Sequence, residues 1–188
     1  MTVPFATWLR ATGLGWLLGI PAIVLLALAG EALGIGGVQV MVGVGMGTGV
    51  GLLQGRALRP LLGRYGPWVC SSAIGLGLPF LVADLLSAAR LGVPYSLPAC
   101  VLVGGLIVGS WQAQLLRHRF SGTAWWVAGN VAGWGLAAAT AALADGLGAI
   151  VSLRGLAGAA AYLGTVASGG LLLGTTTGLV MRRLAPVR

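Results

Sequence analysis

Apolar residues run through this chain in stretches about as long as a bilayer is thick, separated by short polar punctuation. A membrane-crossing helix needs about 20 mostly apolar residues. Six runs meet that length, at roughly 11–30, 36–55, 67–87, 97–115, 123–144 and 159–181. Each is bounded by arginine, by an acid, or by turn chemistry such as Arg59-Pro60 and Gly66-Pro67. Hydrocarbon offers no partner to an exposed backbone amide, so such runs are expected as helices. The pattern predicts an all-α polytopic integral membrane protein, one domain of six transmembrane helices. Arg10, the apolar run behind it and Ala27-Leu28-Ala29 also have the outline of a signal peptide with its cleavage site; the expectation is a retained span.

Composition removes the soluble alternative. Of 188 residues, 57% are hydrophobic and 7% charged, against about 25% charged in a typical soluble domain. The charge is also one-sided, at +8, and every basic residue is arginine. A basic chain can bind nucleic acid. Here the arginines stand singly or in pairs between apolar runs, so no nucleic-acid partner is expected. Their distribution reads instead as topology. With the amino terminus in the cytosol, the inner segments carry Arg10, Arg56, Arg59, Arg64, Arg117, Arg119, Arg182, Arg183 and Arg188, and the outer loops only Arg90 and Arg154. Glu31, Asp84 and Asp145 fall at the outer ends. Both termini are therefore expected on the cytosolic side. Trp8, Trp68, Trp125 and Trp126 fall at the inner mouths of helices and are expected as headgroup anchors, with Trp16 and Trp134 as packing residues.

A repeat underlies the pattern. Small residues recur at four-residue spacing at Gly47, Gly51 and Gly55, at Gly105, Gly109 and Ala113, and at Gly170, Gly174 and Gly178. The residue before the third small position is Gln54, Gln112 or Thr177, and five residues further on stand Arg59, Arg117 and Arg182. Trp8, Trp68 and Trp126 each precede a glycine, Gly15, Gly75 and Gly133, by seven residues. The unit is a two-helix hairpin used three times, about 8–59, 67–119 and 123–183. Residues four apart share a helical face, and small residues let membrane helices approach closely. Helices two, four and six are thus expected to form an inner cluster, with one, three and five nearer lipid. A phosphate-binding role for Gly43 to Gly55 is excluded. The chain has no lysine for a Walker loop, and G-x-G-x-x-G is matched at no register.

Little catalytic chemistry remains. His118 stands alone between Arg117 and Arg119, too few ligands for a metal or haem site, and no cofactor is expected. Ser110 has no base within reach on its helix. Cys70 and Cys100 lack metal spacing and are expected as buried structural thiols. Asp84, near a helix end, is expected at the outer interface or paired with Arg90, although an acid within a span can mark a site. Gln54, Gln112 and Thr177, with Asn130, are expected to meet at one depth, either locking helices together or lining a polar vestibule. Arg59, Arg117 and Arg182 are expected as a cationic ring that holds anionic lipid headgroups on the cytosolic side or guides an anionic solute.

The pieces GLLQGRALR, GSWQAQLLRHR and GTAWWVAGNVAGWGLA resemble a pattern in uncharacterised bacterial polytopic membrane proteins, which alternate G-x-x-Q-x-x-x-L-R helix ends with W-W-x-x-x-N/A-x-x-G-W helix starts. The resemblance covers the two central hairpin junctions, and Thr177 departs from it where glutamine is usual. It supports the same architecture and carries no activity; the expected location is a bacterial inner membrane. The chain is expected to be a non-enzymatic accessory or scaffolding subunit that packs against other membrane subunits. The alternative is a small-solute channel or transporter, or a substrate-binding subunit of an importer, with the Gln/Thr layer at its constriction.

Overall fold

The computed structural model describes residues 3–91, 96–150 and 155–187. Six helices dominate: α1 (Phe5–Ala32), α2 (Val40–Leu62), α3 (Gly66–Ala88), α4 (Leu97–Leu116), α5 (Thr123–Ile150) and α6 (Gly155–Met181). Two-residue strands, β1 (Phe120–Ser121) and β2 (Ala185–Pro186), pair antiparallel after α4 and α6. Local chemistry sets several boundaries. Pro67 lies in the first turn of α3, where its missing N–H costs nothing. Ser96 caps α4, accepting from the Ala99 amide at 3.4 Å. Gly63, at φ 71°, ends α2. The turn expected at Arg59-Pro60 is absent, because Pro60 sits in the last turn of α2, which continues to Leu62.

Five helices, α1, α3, α4, α5 and α6, are long and apolar enough to cross a membrane. The sixth helix, α2, falls short of that hydropathy. Its 23 residues suffice in length, but dense glycines and Arg56 and Arg59 dilute its hydropathy. Much of α2 is buried, with Gly43, Gly45, Gly47, Gly49 and Gly51 all inside the protein.

The helices form a closed ring. Each packs on its chain neighbours, and α6 returns to pack on α1. Neighbours run antiparallel. Along α2, Gly45 lies against Ile23 and Gly49 against Gly15 and Gly19 of α1, while Gly43 lies against Gly77, Gly51 against Ser72 and Gly55 against Tyr65 of the α3 side. Along α6, Gly170 lies against Trp16, Gly174 against Leu9 and Thr12, and Gly178 against Phe5 and Trp8 of α1. In α4, Gly105 and Gly109 meet Trp134, Asn130 and Val127 of α5. The expected inner cluster of even helices is therefore overturned. Each small-residue row faces the odd helix next round the ring, because a ring lets every helix bury a stripe against two neighbours. Odd and even helices alike present exposed apolar side chains outward, among them Leu14, Leu25, Leu85, Leu106, Leu143 and Leu179.

Residues in corresponding positions converge on the axis in layers. Val50, Val108 and Leu173 are buried on α2, α4 and α6, and Leu58, Leu116 and Met181 two turns further along. Between these layers lies the polar one.

Candidate functional site

The most distinctive cluster in the fold is three tryptophans meeting on the ring axis. Trp8, Trp68 and Trp126 are completely buried. Their rings touch pairwise, with centroids 6.4 Å apart for Trp8 and Trp68, 5.8 Å for Trp8 and Trp126, and 5.7 Å for Trp68 and Trp126. Two pairs are edge-on and the third is tilted, arrangements that place the positive edge of one ring toward the negative face of another. Of the four expected headgroup anchors, only Trp125 faces outward. The other three are corrected to core residues. A helix mouth is compatible with an indole pointing either way, and these three point inward because a buried acceptor awaits each N–H.

Those acceptors are the polar residues of the even helices. The Trp68 indole donates to Gln54 Oε1 at 3.3 Å, Trp126 to Gln112 Oε1 at 3.1 Å, and Trp8 to Thr177 Oγ1 at 3.0 Å. Each bond joins the polar residue of one even helix to the tryptophan of the odd helix that follows it round the ring. Two glutamines then pass the network on. Gln54 Nε2 donates to Thr12 Oγ1 at 3.0 Å, and Gln112 Nε2 to Ser72 Oγ at 2.9 Å. Ser72 in turn donates to the Trp68 carbonyl at 2.9 Å.

The third sector is built differently. Thr177 has no amide to donate and gives its hydroxyl proton to the Leu173 carbonyl at 2.6 Å. Asn130, which stands where the other sectors have Thr12 and Ser72, donates to the Trp126 carbonyl at 3.0 Å. The sector with the short acceptor is thus also the one with the longer side chain at the position of Thr12 and Ser72. The four residues singled out from the sequence do gather in this region. Gln54, Gln112 and Thr177 share a layer through the tryptophans rather than by bonding one another, and Asn130 lies a turn deeper along α5. Thr12 and Ser72 were missed, although a signal existed: Trp8, Trp68 and Trp126 are each followed four residues later by Thr12, Ser72 or Asn130, on the same helical face.

Among the described residues no buried side-chain nitrogen or oxygen lacks a hydrogen-bond partner. The layer contains no titratable group, and the hydroxyls of Thr12 and Ser72 have no base beside them. Chemically it is a neutral, satisfied plug. On the arginine side it is backed by Leu58, Leu116 and Met181, which pack on the three indoles. On the other side a cavity of about 110 Å³ is lined by apolar groups including Trp16, Met46, Leu76, Phe80, Val101 and Trp134. The Gln/Thr layer does not line it. Trp16 and Trp134 are packing residues as expected, 6.0 Å apart, and the Trp16 indole donates to the Val166 carbonyl at 2.9 Å.

Apart from Arg10, which stands part-way along α1, the described charged residues lie toward the two ends. Arg59, Arg117 and Arg182 each follow a buried Leu58, Leu116 or Met181 and are exposed. Arg182 sits 5.3 Å above the Phe5 ring. His118 and Arg119 are exposed beside the β1–β2 pair. At the opposite end, Asp84 accepts from the Gln39 amide at 2.9 Å and the Val40 amide at 2.8 Å. Its carboxylate thus caps the neighbouring α2 instead of meeting Arg90, satisfying orphan amides and opposing the positive end of the helix dipole. Asp145 accepts from the Tyr162 hydroxyl at 3.1 Å. Cys100 is buried but Cys70 is exposed, which corrects the expectation for the latter, and both are free.

No protein family, curated protein or solved structure matches the chain.

Proposed function

We propose that the chain is a non-enzymatic multi-pass protein of a bacterial inner membrane, three tandem helical hairpins with both termini cytosolic, serving as an accessory or scaffolding subunit. The observation that carries this reading is the plug. Three completely buried indoles and a polar layer whose described side chains are all hydrogen-bonded close the axis at this depth. A transport pathway needs polar groups free to replace a solute's hydration; here those groups are already bonded to one another. The apolar outer faces are the surface on which neighbouring subunits would pack.

The same reading has α2 cross with the others. Its length equals that of α3, and it lies antiparallel between α1 and α3 along most of its course. The arginine-rich end is then cytosolic and the end with Glu31, Asp84 and Asp145 external.

Two measurements test this. Purified protein reconstituted in liposomes should support no flux of ions or small neutral solutes above protein-free vesicles; substrate-dependent flux would overturn the accessory role in favour of a channel or transporter. Single cysteines at Arg64 and Arg119, in a background lacking Cys70 and Cys100, should react with an impermeant maleimide only after the cytosolic face is opened. Reaction from outside would reverse the orientation.

A further inference from the structure

We propose that the groove between α1 and α6 is a specific site for one anionic phospholipid, its acyl chain lying in the groove and its phosphate on Arg10. The inference rests on the membrane placement of the helices and not on the accessory role. The groove is about 410 Å³ and is lined mainly by apolar atoms, with Leu9, Gly13, Leu17, Gly164 and Leu171 among its walls and Arg10 at one end.

Two observations set it apart from an ordinary lipid-facing surface. The first is its glycines. Those of α6 that pack on α1 leave no room for a side chain: a Cβ at Gly170 would lie 2.5 Å from Trp16, and one at Gly178 2.9 Å from Trp8. Gly13 and Gly164 have no such excuse. A Cβ at Gly13 would meet only Leu171, at an ordinary 3.5 Å, and one at Gly164 would meet nothing within 4 Å. Helix packing does not need these two glycines; they leave a trough.

The second is the depth of Arg10. It follows Trp8 by two residues toward the middle of α1, whereas Arg59, Arg117 and Arg182 lie five residues beyond the polar layer in the other direction. By helical rise Arg10 sits about 10 Å deeper than that ring. It is exposed, and the chain's three acids all lie at the far end. A guanidinium held inside the hydrocarbon boundary extends toward the surface along its stem and meets lipid phosphate there. A fork of N–H donors suits phosphate oxygens bidentately. The charge sits at the mouth and the apolar trough runs inward from it, which is the order of a phospholipid's own parts.

Native mass spectrometry of the full chain in a neutral detergent tests the site, with phosphatidylglycerol and phosphatidylcholine of equal chain length as probes. Wild type should retain one phosphatidylglycerol in preference to phosphatidylcholine. Arg10→Gln should reduce that preference about fivefold, the equivalent of about 1 kcal/mol for one basic group. Gly164→Leu should expel both lipids by filling the trough, and Gly13→Leu provides a second filling variant should the first fail to fold. Unchanged phosphatidylglycerol retention in Arg10→Gln, or in both filled variants, would place the lipid elsewhere and overturn the site. Wild type that retains neither lipid would overturn it as well, while liposome flux would bear on the accessory role alone.

Discussion

Gln112 ties two helices into the polar layer, accepting from Trp126 and donating to Ser72. Gln112→Leu keeps its bulk but strands an indole N–H. We expect a loss of about 1–3 kcal/mol, read as a lower midpoint in detergent unfolding. Gln114→Leu, two residues on and exposed, should leave the midpoint unchanged. The third sector offers a sharper experiment. If Thr177 and Asn130 are the exchanged counterparts of the Gln54–Thr12 and Gln112–Ser72 pairs, Thr177→Gln alone should destabilise by crowding Asn130. Asn130→Ser should then restore part of the loss, with a coupling of about 0.5–3 kcal/mol in a double-mutant cycle; strict additivity would show that the two positions do not share a site. Much of this layer was legible beforehand, since Gln54, Gln112 and Thr177 recur at one place in a repeat. The inward turn of Trp8, Trp68 and Trp126 was not. Rotamer direction leaves no trace in spacing, and only the acceptor on another helix decides it.

The helices depend on closeness rather than on bulk. A methyl group at Gly49 would lie 2.7 Å from the Gly19 Cα and closer still, at 2.6 Å, to the Gly15 carbonyl oxygen. Backbone cannot step aside as a side chain can, so Gly49→Ala should cost about 1–3 kcal/mol or more. At Gly146 a methyl group meets nothing within 4 Å, and Gly146→Ala should be neutral or slightly stabilising in the same assay. Asp84 acts on an element 45 residues away in sequence. Asp84→Ala should cost about 1–2 kcal/mol, and faster amide exchange confined to the first turn of α2 would locate the loss. The sequence displayed the small-residue rows but not their partners. In α2, Gly45 and Gly49 turn toward α1 while Gly43, Gly47 and Gly51 turn toward α3, so a single helix carries two seams. Reading one stripe where there are two is what suggested a central bundle of even helices. The same glycines keep the hydropathy of α2 below that of the other five helices.

At the scale of the molecule, layers of equivalent residues around an axis account for the arrangement. The layer of Val50, Val108 and Leu173, the indole plug, and the layer of Leu58, Leu116 and Met181 stack along it. Composition and run length were enough to foresee six helices but not their ends: α1 begins at Phe5, so that Arg10 lies within it, and α5 runs on to Ile150. Ring closure was not foreseeable, because nothing in a linear sequence distinguishes the α6–α1 seam from an exposed edge.

That seam implies a freedom in the order of the chain. The start of α1 adjoins the end of α6, where Phe5 lies beside Gly178 and beneath Arg182. A short peptide joining residue 187 to residue 3, with new ends cut between Gly63 and Arg64, would keep all six contacts between neighbouring helices and return both ends to the arginine side. Such a rearranged gene product should fold and retain the buried-indole fluorescence of the native order. The place where biosynthesis begins would then be an accident of the gene, and the ring itself the thing inherited.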